Sequence, residues 1–482
     1  MNKNKSKKRN RRKKSNKAIL WSTYFIGAIF LALIVHFVKY NIYERDTIIN
    51  NPYNNRQHIL EEEIRRGDIV SDDGTVLATT VENEEGKYER YYPYANIFAH
   101  SVGYSKHGTT GIELMANYKL LSTNVSIVHT AINDFKNVKD PGNTVTTSLN
   151  LGLTQTAYNA LGDYDGAVIV LDTKTGQILT MVSKPDFDPN VIDEIWDSLV
   201  ADESNSNLVN RTTQGLYTPG STFKLLCLLE YMHEHAGDFL NYYYQCESRI
   251  YHSGMTINCA DGRAHGLESL EDSFANSCNC SFVNLGLTLD LARLEKLCND
   301  LMFNEELPID YSYNKSSYSL GTNPEVTAIM QTSIGQGETL MSPIHLAMIA
   351  AAIANDGIVM KPYVITGVKS ASGKVLDTYS PKEYKRILSA EDCENLKTFM
   401  RSVVTKGTGQ KLMSDAYEAY GKTGTAQVKN GSQCNSLFMG FAKSEEASIA
   451  VCVVMEDMPE NSTYAVPITK QIFDYYFANI AK

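Results

Sequence analysis

Apolar and polar positions change period several times along the 482-residue chain. From Ala18 to Val38, "AILWSTYFIGAIFLALIVHFV", 21 residues run without Asp, Glu, Lys or Arg. At 1.5 Å per helical residue this covers roughly 30 Å and predicts one transmembrane helix. Short alternating pieces follow, such as "GDIVSDDGTVLATT", where Asp73-Gly74 is a hairpin signal. "GAVIVLDTKTGQILTMVS" predicts two strands joined by a tight turn. The spacing then becomes helical: Pro219 and Gly220 break the chain, and "STFKLLCLLEYM" puts Leu225, Leu228, Leu229 and Met232 on one face. Ser342 and Pro343 start a further helix that Gly357 ends. "GKTGTAQV", a turn at Asn430-Gly431, "NSLFMGFA" and "ASIAVCVVM" read as successive antiparallel strands, and "AVPITKQIFDYYFANI" as a final helix. A strand hairpin, many helices, a strand meander and a last helix predict an α/β body whose antiparallel sheet is made from both ends of the domain.

Some 440 residues beyond the apolar run are too many for one ordinary domain, and a split near residue 150 is expected. The predicted organisation is a basic tail (1–17), a transmembrane anchor (18–38), a β-rich N-terminal domain (39–150) and an α/β body (151–482). Charge assigns the anchor a direction. The first 17 residues carry ten Lys or Arg and no acid, which leaves 35 basic against 55 acidic residues, near −20, for the remainder. The basic flank is expected in the cytoplasm and the acidic body outside. A cleaved signal peptide is the alternative, but "VKYNIYERD" offers no small-residue cleavage pair. Anionic lipid headgroups explain a basic tail beside a membrane span more simply than nucleic acid does.

The break before residue 221 also carries chemistry. Ser221 and Lys224 share one face of the first helical turn, where the helix dipole favours negative charge near Ser221 and disfavours a charged Lys224. A second Ser-x-x-Lys, Ser312 to Lys315, lies in the polar stretch "DYSYNKSSYS" and reads as a loop. Ser-x-Asn occurs at Ser277–Asn279, with decoys at Ser122–Asn124, Ser148–Asn150 and Ser312–Asn314. Lys-Thr-Gly occurs at Lys174–Gly176, where a hairpin turn needs its glycine, and at Lys422–Gly424 on a predicted strand. Only Ser221/Lys224, Ser277/Asn279 and Lys422–Gly424 follow the order of the acyl-serine set shared by penicillin-binding proteins and serine β-lactamases.

With those motifs in place, the chain resembles a class B penicillin-binding protein, a membrane-anchored peptidoglycan DD-transpeptidase, along nearly its whole length. "RRGDIVSDDGTVLA" and "GTTGIE" resemble two elements of the family's pedestal, and "TSLNLGLTQTAYNALG" the entry into its transpeptidase domain. "SIGQGETLMSPIHLA" is similar to the segment between the second and third motifs, with Gln336 and Gly337 in place. The short length and "NPYNNRQ" resemble the compact PbpA-like subgroup.

The resemblance implies the penicillin-binding transpeptidase/serine β-lactamase-like fold, an antiparallel sheet flanked by helices. It implies Ser221 as nucleophile, Lys224 as base, Ser277 and Asn279 as proton relay and substrate donor, and Lys422 as a neighbouring cation. Thr423, Gly424 and Thr425 would bind substrate, and the N–H groups of Ser221 and Thr425 would form an oxyanion hole. Catalysis needs no metal; β-lactams and peptidoglycan stem peptides are the expected ligands, and a SEDS-family glycan polymerase the expected membrane partner. The rivals are a β-lactamase or DD-carboxypeptidase, whose second motif usually has valine where Asn279 stands, a β-lactam sensor, for which a 17-residue tail leaves no signalling domain, and a non-catalytic scaffold.

Nine cysteines, an odd number, lie in the part placed outside the cell. Most fall in apolar or helical contexts. Cys246 and Cys259 lie instead in the polar stretch before Ser277, followed by His265. A disulfide, unliganded loop thiols, and a structural zinc site completed by Asp261, His252 or Cys280 remain open readings, with zinc preferred over the disulfide.

Overall fold

The computed structural model of the chain describes residues 2–40, 56–136, 138–201, 206–321, 323–428, 433–459 and 463–481. The Asn430-Gly431 turn and most of "NPYNNRQ" lie outside them, as does the side chain of Asp261. A single helix, Asn2–Lys39, carries the basic tail into the apolar run. Its segment Ile19–Lys39 has a mean hydropathy of 2.0 and is long and apolar enough to cross a bilayer. Trp21, Phe25, Phe30 and Phe37 are exposed on it.

In the unit from Leu60 onward, a five-stranded antiparallel sheet runs in the order Glu418–Val428, Gln433–Lys443, Ser448–Met458, Gly166–Asp172, Ile178–Lys184. Both ends of the body contribute, as the sequence predicts. Alternate residues go to opposite faces. Ile169, Leu171, Leu437, Met439, Ala450 and Cys452 pack with the buried helix Pro343–Ala354 on one face. Val168, Val170, Phe438, Val451 and Val453 pack with helices Leu151–Leu161 and Ala465–Asn479 on the other. Covering both faces explains why these strands read as nearly continuous apolar runs. Glu418–Val428 is left as an edge strand beside the helix start at Ser221.

A second, six-stranded sheet has the order Val375–Thr378, Ile365–Lys369, Thr144–Thr147, Ile69–Val70, Val76–Glu82, Tyr88–Tyr91. The Asp73-Gly74 signal is its hairpin turn: Ser71 N–H donates to Thr75 O at 2.8 Å, and Gly74 has φ +89°. Two strands of this sheet come from beyond residue 360.

The two short pedestal motifs meet in one ion cluster. Glu113, fully buried, accepts from Arg66 Nε at 2.6 Å and from Arg90 Nε at 2.7 Å. Arg66 also donates to Asn117 Oδ1 and to Glu113 O. Burial would raise the Glu113 carboxyl, but Arg66 and Arg90 outweigh it and hold it below the usual carboxylate range. Glu113→Ala would strand two buried guanidinium groups, and a loss of about 3–5 kcal/mol is expected, read as a lowered midpoint in a urea titration of the full-length protein. Because the folded pKa is depressed, this contribution is present above the unfolded carboxyl pKa and is lost as pH falls through the folded one.

Candidate active site

Ser221 sits in a short 3-10 turn, Gly220–Thr222, that leads into helix Lys224–Glu234. Its backbone N–H is among the first of the turn, one of the donors a helix start leaves without an intrahelical partner. The turn is clamped from two sides. Gly220 N–H donates to Gly335 O at 2.9 Å, and a Cβ on Gly220, at φ +54°, would lie 2.6 Å from Thr425 O. Only glycine lets the turn at Ser221 approach the edge strand this closely.

Lys224 is fully buried one helical turn below Ser221. Its Nζ donates to Ser277 O at 2.7 Å and Asn279 Oδ1 at 2.7 Å, and lies 3.3 Å from Ser277 Oγ. Lys422, also fully buried, donates to the same Ser277 Oγ at 2.8 Å. One hydroxyl therefore bridges two buried lysines. Ser277 holds φ +57° between helices Leu270–Ala275 and Asn279–Gly286, a left-handed conformation unusual for serine and typical of a backbone constrained by its function. Burial lowers the Lys224 ammonium to about 8; burial, and then the charge of Lys224, push Lys422 well below the ordinary lysine value.

Ser221, Ser277 and Asn279 line a cleft of about 750 Å³. Thr423, Thr425 and Gln427 line the sheet side of it, and Gln336, Gly337 and Ile334 the side of the segment between motifs. Thr425 O accepts from Gln336 Nε2 at 3.5 Å, which directs that carbonyl away from the sheet. In an extended strand the N–H of the same residue points the same way, off the open edge of the sheet. Among the described residues, the lining carries no carboxylate.

Each decoy has a structural occupation: Ser122 Oγ donates to Tyr118 O, and Asn124 Nδ2 to Asn143 Oδ1. Ser312 O accepts from Thr213 Oγ1, and Lys315 forms an ion pair with Glu306. Asp172 Oδ1 accepts from Lys174 N and Thr175 N in the hairpin turn, where Gly176 has φ +78°. Asn150 caps helix Leu151–Leu161 through Leu153 N.

Sequence reasoning missed Thr408. Its hydroxyl lies 2.6 Å from Thr423 Oγ1 and faces the cleft. The readable signal was the glycine before it in "KGTG": a Cβ on Gly407 would lie 2.1 Å from Ala275 O, so the loop passes hard against the second motif. Also missed was the wall formed by Thr256, Ile257 and Asn258. Asn258 O accepts from Asn279 Nδ2 at 2.8 Å.

The structure brings Cys246, Cys259 and His265 together, the last two continuing this wall of the cleft. His252 does not join them; its ring nitrogen bonds Ser253 Oγ on the exposed hairpin. The residue closing the group is Cys278, which the sequence reading did not name, with Cys280 adjacent.

A family model described as "Penicillin binding protein transpeptidase domain" matches residues 166–474, and one described as "Penicillin binding protein A dimerisation domain" matches residues 66–145. The peptidoglycan D,D-transpeptidase PbpA of Mycolicibacterium smegmatis is 28% identical over 458 residues, covering 90% of this chain and 92% of the relative. The penicillin-binding protein A of M. tuberculosis, solved as a ceftriaxone acyl-enzyme complex, is 26% identical with a TM-score of 0.77, covering 86% of this chain and 99% of that one. A D,D-transpeptidase domain of a peptidoglycan glycosyltransferase from Eggerthella lenta is 27% identical with a TM-score of 0.74, covering 86% and 99%.

Proposed function

Since the chain belongs to the penicillin-binding protein transpeptidase family, we propose that it is a membrane-anchored peptidoglycan DD-transpeptidase that cross-links stem peptides through an acyl-enzyme on Ser221. The observation that carries the site assignment is the single hydroxyl, Ser277 Oγ, shared by two buried lysines within the cleft that Ser221 lines.

A neutral Lys224 has two N–H donors and one lone pair. Ser277 O and Asn279 Oδ1 take the donors, which leaves the lone pair for the Ser221 proton. The two buried lysines compete for charge. A substrate carboxylate held by the hydroxyls of Thr423, Thr425 and Thr408 stands near Lys422, favours the proton there and drives it from Lys224. Ser221 Oγ then bonds to the carbonyl carbon of the penultimate D-Ala. The oxyanion takes hydrogen bonds from Ser221 and Thr425 N–H, each worth roughly 10²–10³ in rate. As the peptide C–N bond breaks, the leaving D-Ala amine takes the proton by way of Ser277 Oγ. An amine of a second stem peptide attacks the ester, a new amide forms and Ser221 is released. Gly424, with the strand around it, keeps the substrate rail close to the nucleophile: a Cβ there would lie 3.0 Å from Pro219 O.

The N-terminal tail lies in the cytoplasm and the body outside, on the charge bias of residues 1–17. A SEDS-family polymerase is the membrane partner that supplies nascent glycan. The described cleft lining carries no carboxylate to activate water, and the imidazole there, His265, has Nδ1 3.4 Å from Cys246 Sγ, which favours transfer over hydrolysis. A membrane-impermeant fluorescent penicillin added to intact protoplasts tests orientation and fate together. The full-length chain should be labelled and keep its label for many minutes. Labelling only after lysis would overturn the orientation, and rapid multiple-turnover hydrolysis of nitrocefin by the purified protein would overturn the transpeptidase reading.

A further inference from the structure

At the edge of the cleft, three strand ends and a helix start deliver three thiols and an imidazole to one point. Cys246 ends strand Tyr243–Cys246, Cys259 follows strand Met255–Asn258, and His265 precedes strand Gly266–Ser269, which pairs back onto the first. Cys278 caps helix Asn279–Gly286. Cys246 Sγ lies 3.6 Å from Cys259 Sγ and 3.4 Å from His265 Nδ1, and Cys259 Sγ lies 3.7 Å from Cys278 Sγ. All four ligand atoms fall within 4.8 Å of one another, and the three cysteines are buried.

We infer that Cys246, Cys259, His265 and Cys278 hold a structural zinc ion. Tetrahedral zinc with Zn–S near 2.3 Å and Zn–N near 2.0–2.1 Å separates its ligand atoms by about 3.5–3.8 Å, the spacing of the contacts above. A disulfide would single out one pair, whereas Cys259 Sγ has three sulfur neighbours at similar range, Cys280 at 3.4 Å being the third. The site also faces a buried carboxylate with one oxygen unpaired. Glu268, 2% exposed, lies 3.9 Å from His265 Nδ1, and its Oε2 has no hydrogen-bond partner, while Oε1 accepts from Asn276. A divalent cation beside that carboxylate supplies what the protein does not. Cys280 stays outside the tetrahedron as a neighbouring thiol.

The site acts on the reaction only through position. Cys278 stands between Ser277 and Asn279, and Cys259 follows the residue whose carbonyl holds Asn279 Nδ2. Metal bonds at 259 and 278 fix the wall and the second motif to each other, which makes the four ligands positioning residues for Ser277 and Asn279.

Full-length protein purified in detergent without chelator should contain about one zinc per chain, and cobalt(II) added after chelation should produce thiolate-to-cobalt charge transfer and tetrahedral ligand-field bands. Cys246→Ser and His265→Ala should lower bound metal to less than about a tenth of an equivalent, while Cys280→Ser should keep it. Chelation of the wild-type protein should slow penicillin acylation by about 10–100-fold, with recovery on zinc addition. Wild-type protein with less than about a tenth of an equivalent of zinc and no cobalt spectrum would overturn the site, whatever the variants do. A Cys246–Cys259 disulfide on a non-reducing peptide map would overturn it equally, and loss of metal in Cys280→Ser would overturn the ligand set. Metal content is read without any enzymatic assay, so its outcome is separate from that of the transpeptidase reading.

Discussion

Ser221→Ala is expected to abolish penicillin labelling, a loss on the order of 10⁴–10⁶-fold in acylation, with the fold intact. The side chain of Ser221 is partly exposed and lines the cleft, so its removal leaves no cavity in the core. Changes of this kind typically move stability by under about 0.5 kcal/mol. The turn itself is set by backbone, through Gly220 and Gly335, and does not need the hydroxyl. Peptide mapping of wild-type protein treated with fluorescent penicillin should place the label on Ser221. A label on Ser312, or labelling retained in the variant with an unchanged urea midpoint, would refute the assignment.

Lys224→Ala is expected to lower acylation by about 10²–10⁴-fold, the usual range for loss of a positioned proton acceptor. The pH profile separates that role from simple packing. Burial brings Lys224 to about 8, so its neutral form grows as pH rises toward that value. The wild-type acylation rate constant at low penicillin should climb roughly tenfold per pH unit below about 8 and level off above it. The variant should lose this rise. A wild-type profile that is flat between pH 6 and about 8 would remove Lys224 as the base.

Much of the body was legible because its signals are local. Pro343 at a helix start, Gly74 in a hairpin turn and the nearly continuous apolar runs of the meander act within a few residues, and each appears where the sequence places it. The three motifs were separable from their decoys because turn chemistry explained the decoys: the first Lys-Thr-Gly needs its glycine for φ, and Asn150 is a helix cap. What stayed hidden depends on contacts between distant segments. Thr408 gains meaning only beside Thr423, and Asn258 only beside Asn279. Cys278 reads as an apolar filler inside a Ser-x-Asn motif until three strands fold over it. Arg66 and Glu113 were visible as two short motifs, but their shared ion cluster was not, since 47 residues separate them.

The six-stranded sheet makes the pedestal and the body mutually dependent as inherited parts. Ile365–Lys369 reaches out of the body and pairs with Thr144–Thr147, Ile365 opposite Thr147 and Lys369 opposite Thr144. A gene shortened to begin after that strand would keep every motif residue yet leave the partner strand with an open edge and Val368 uncovered. Such an edge invites pairing with other chains. Recombination between relatives therefore has no clean seam at the start of the catalytic body, and exchange that preserves solubility must carry the strands on both sides together.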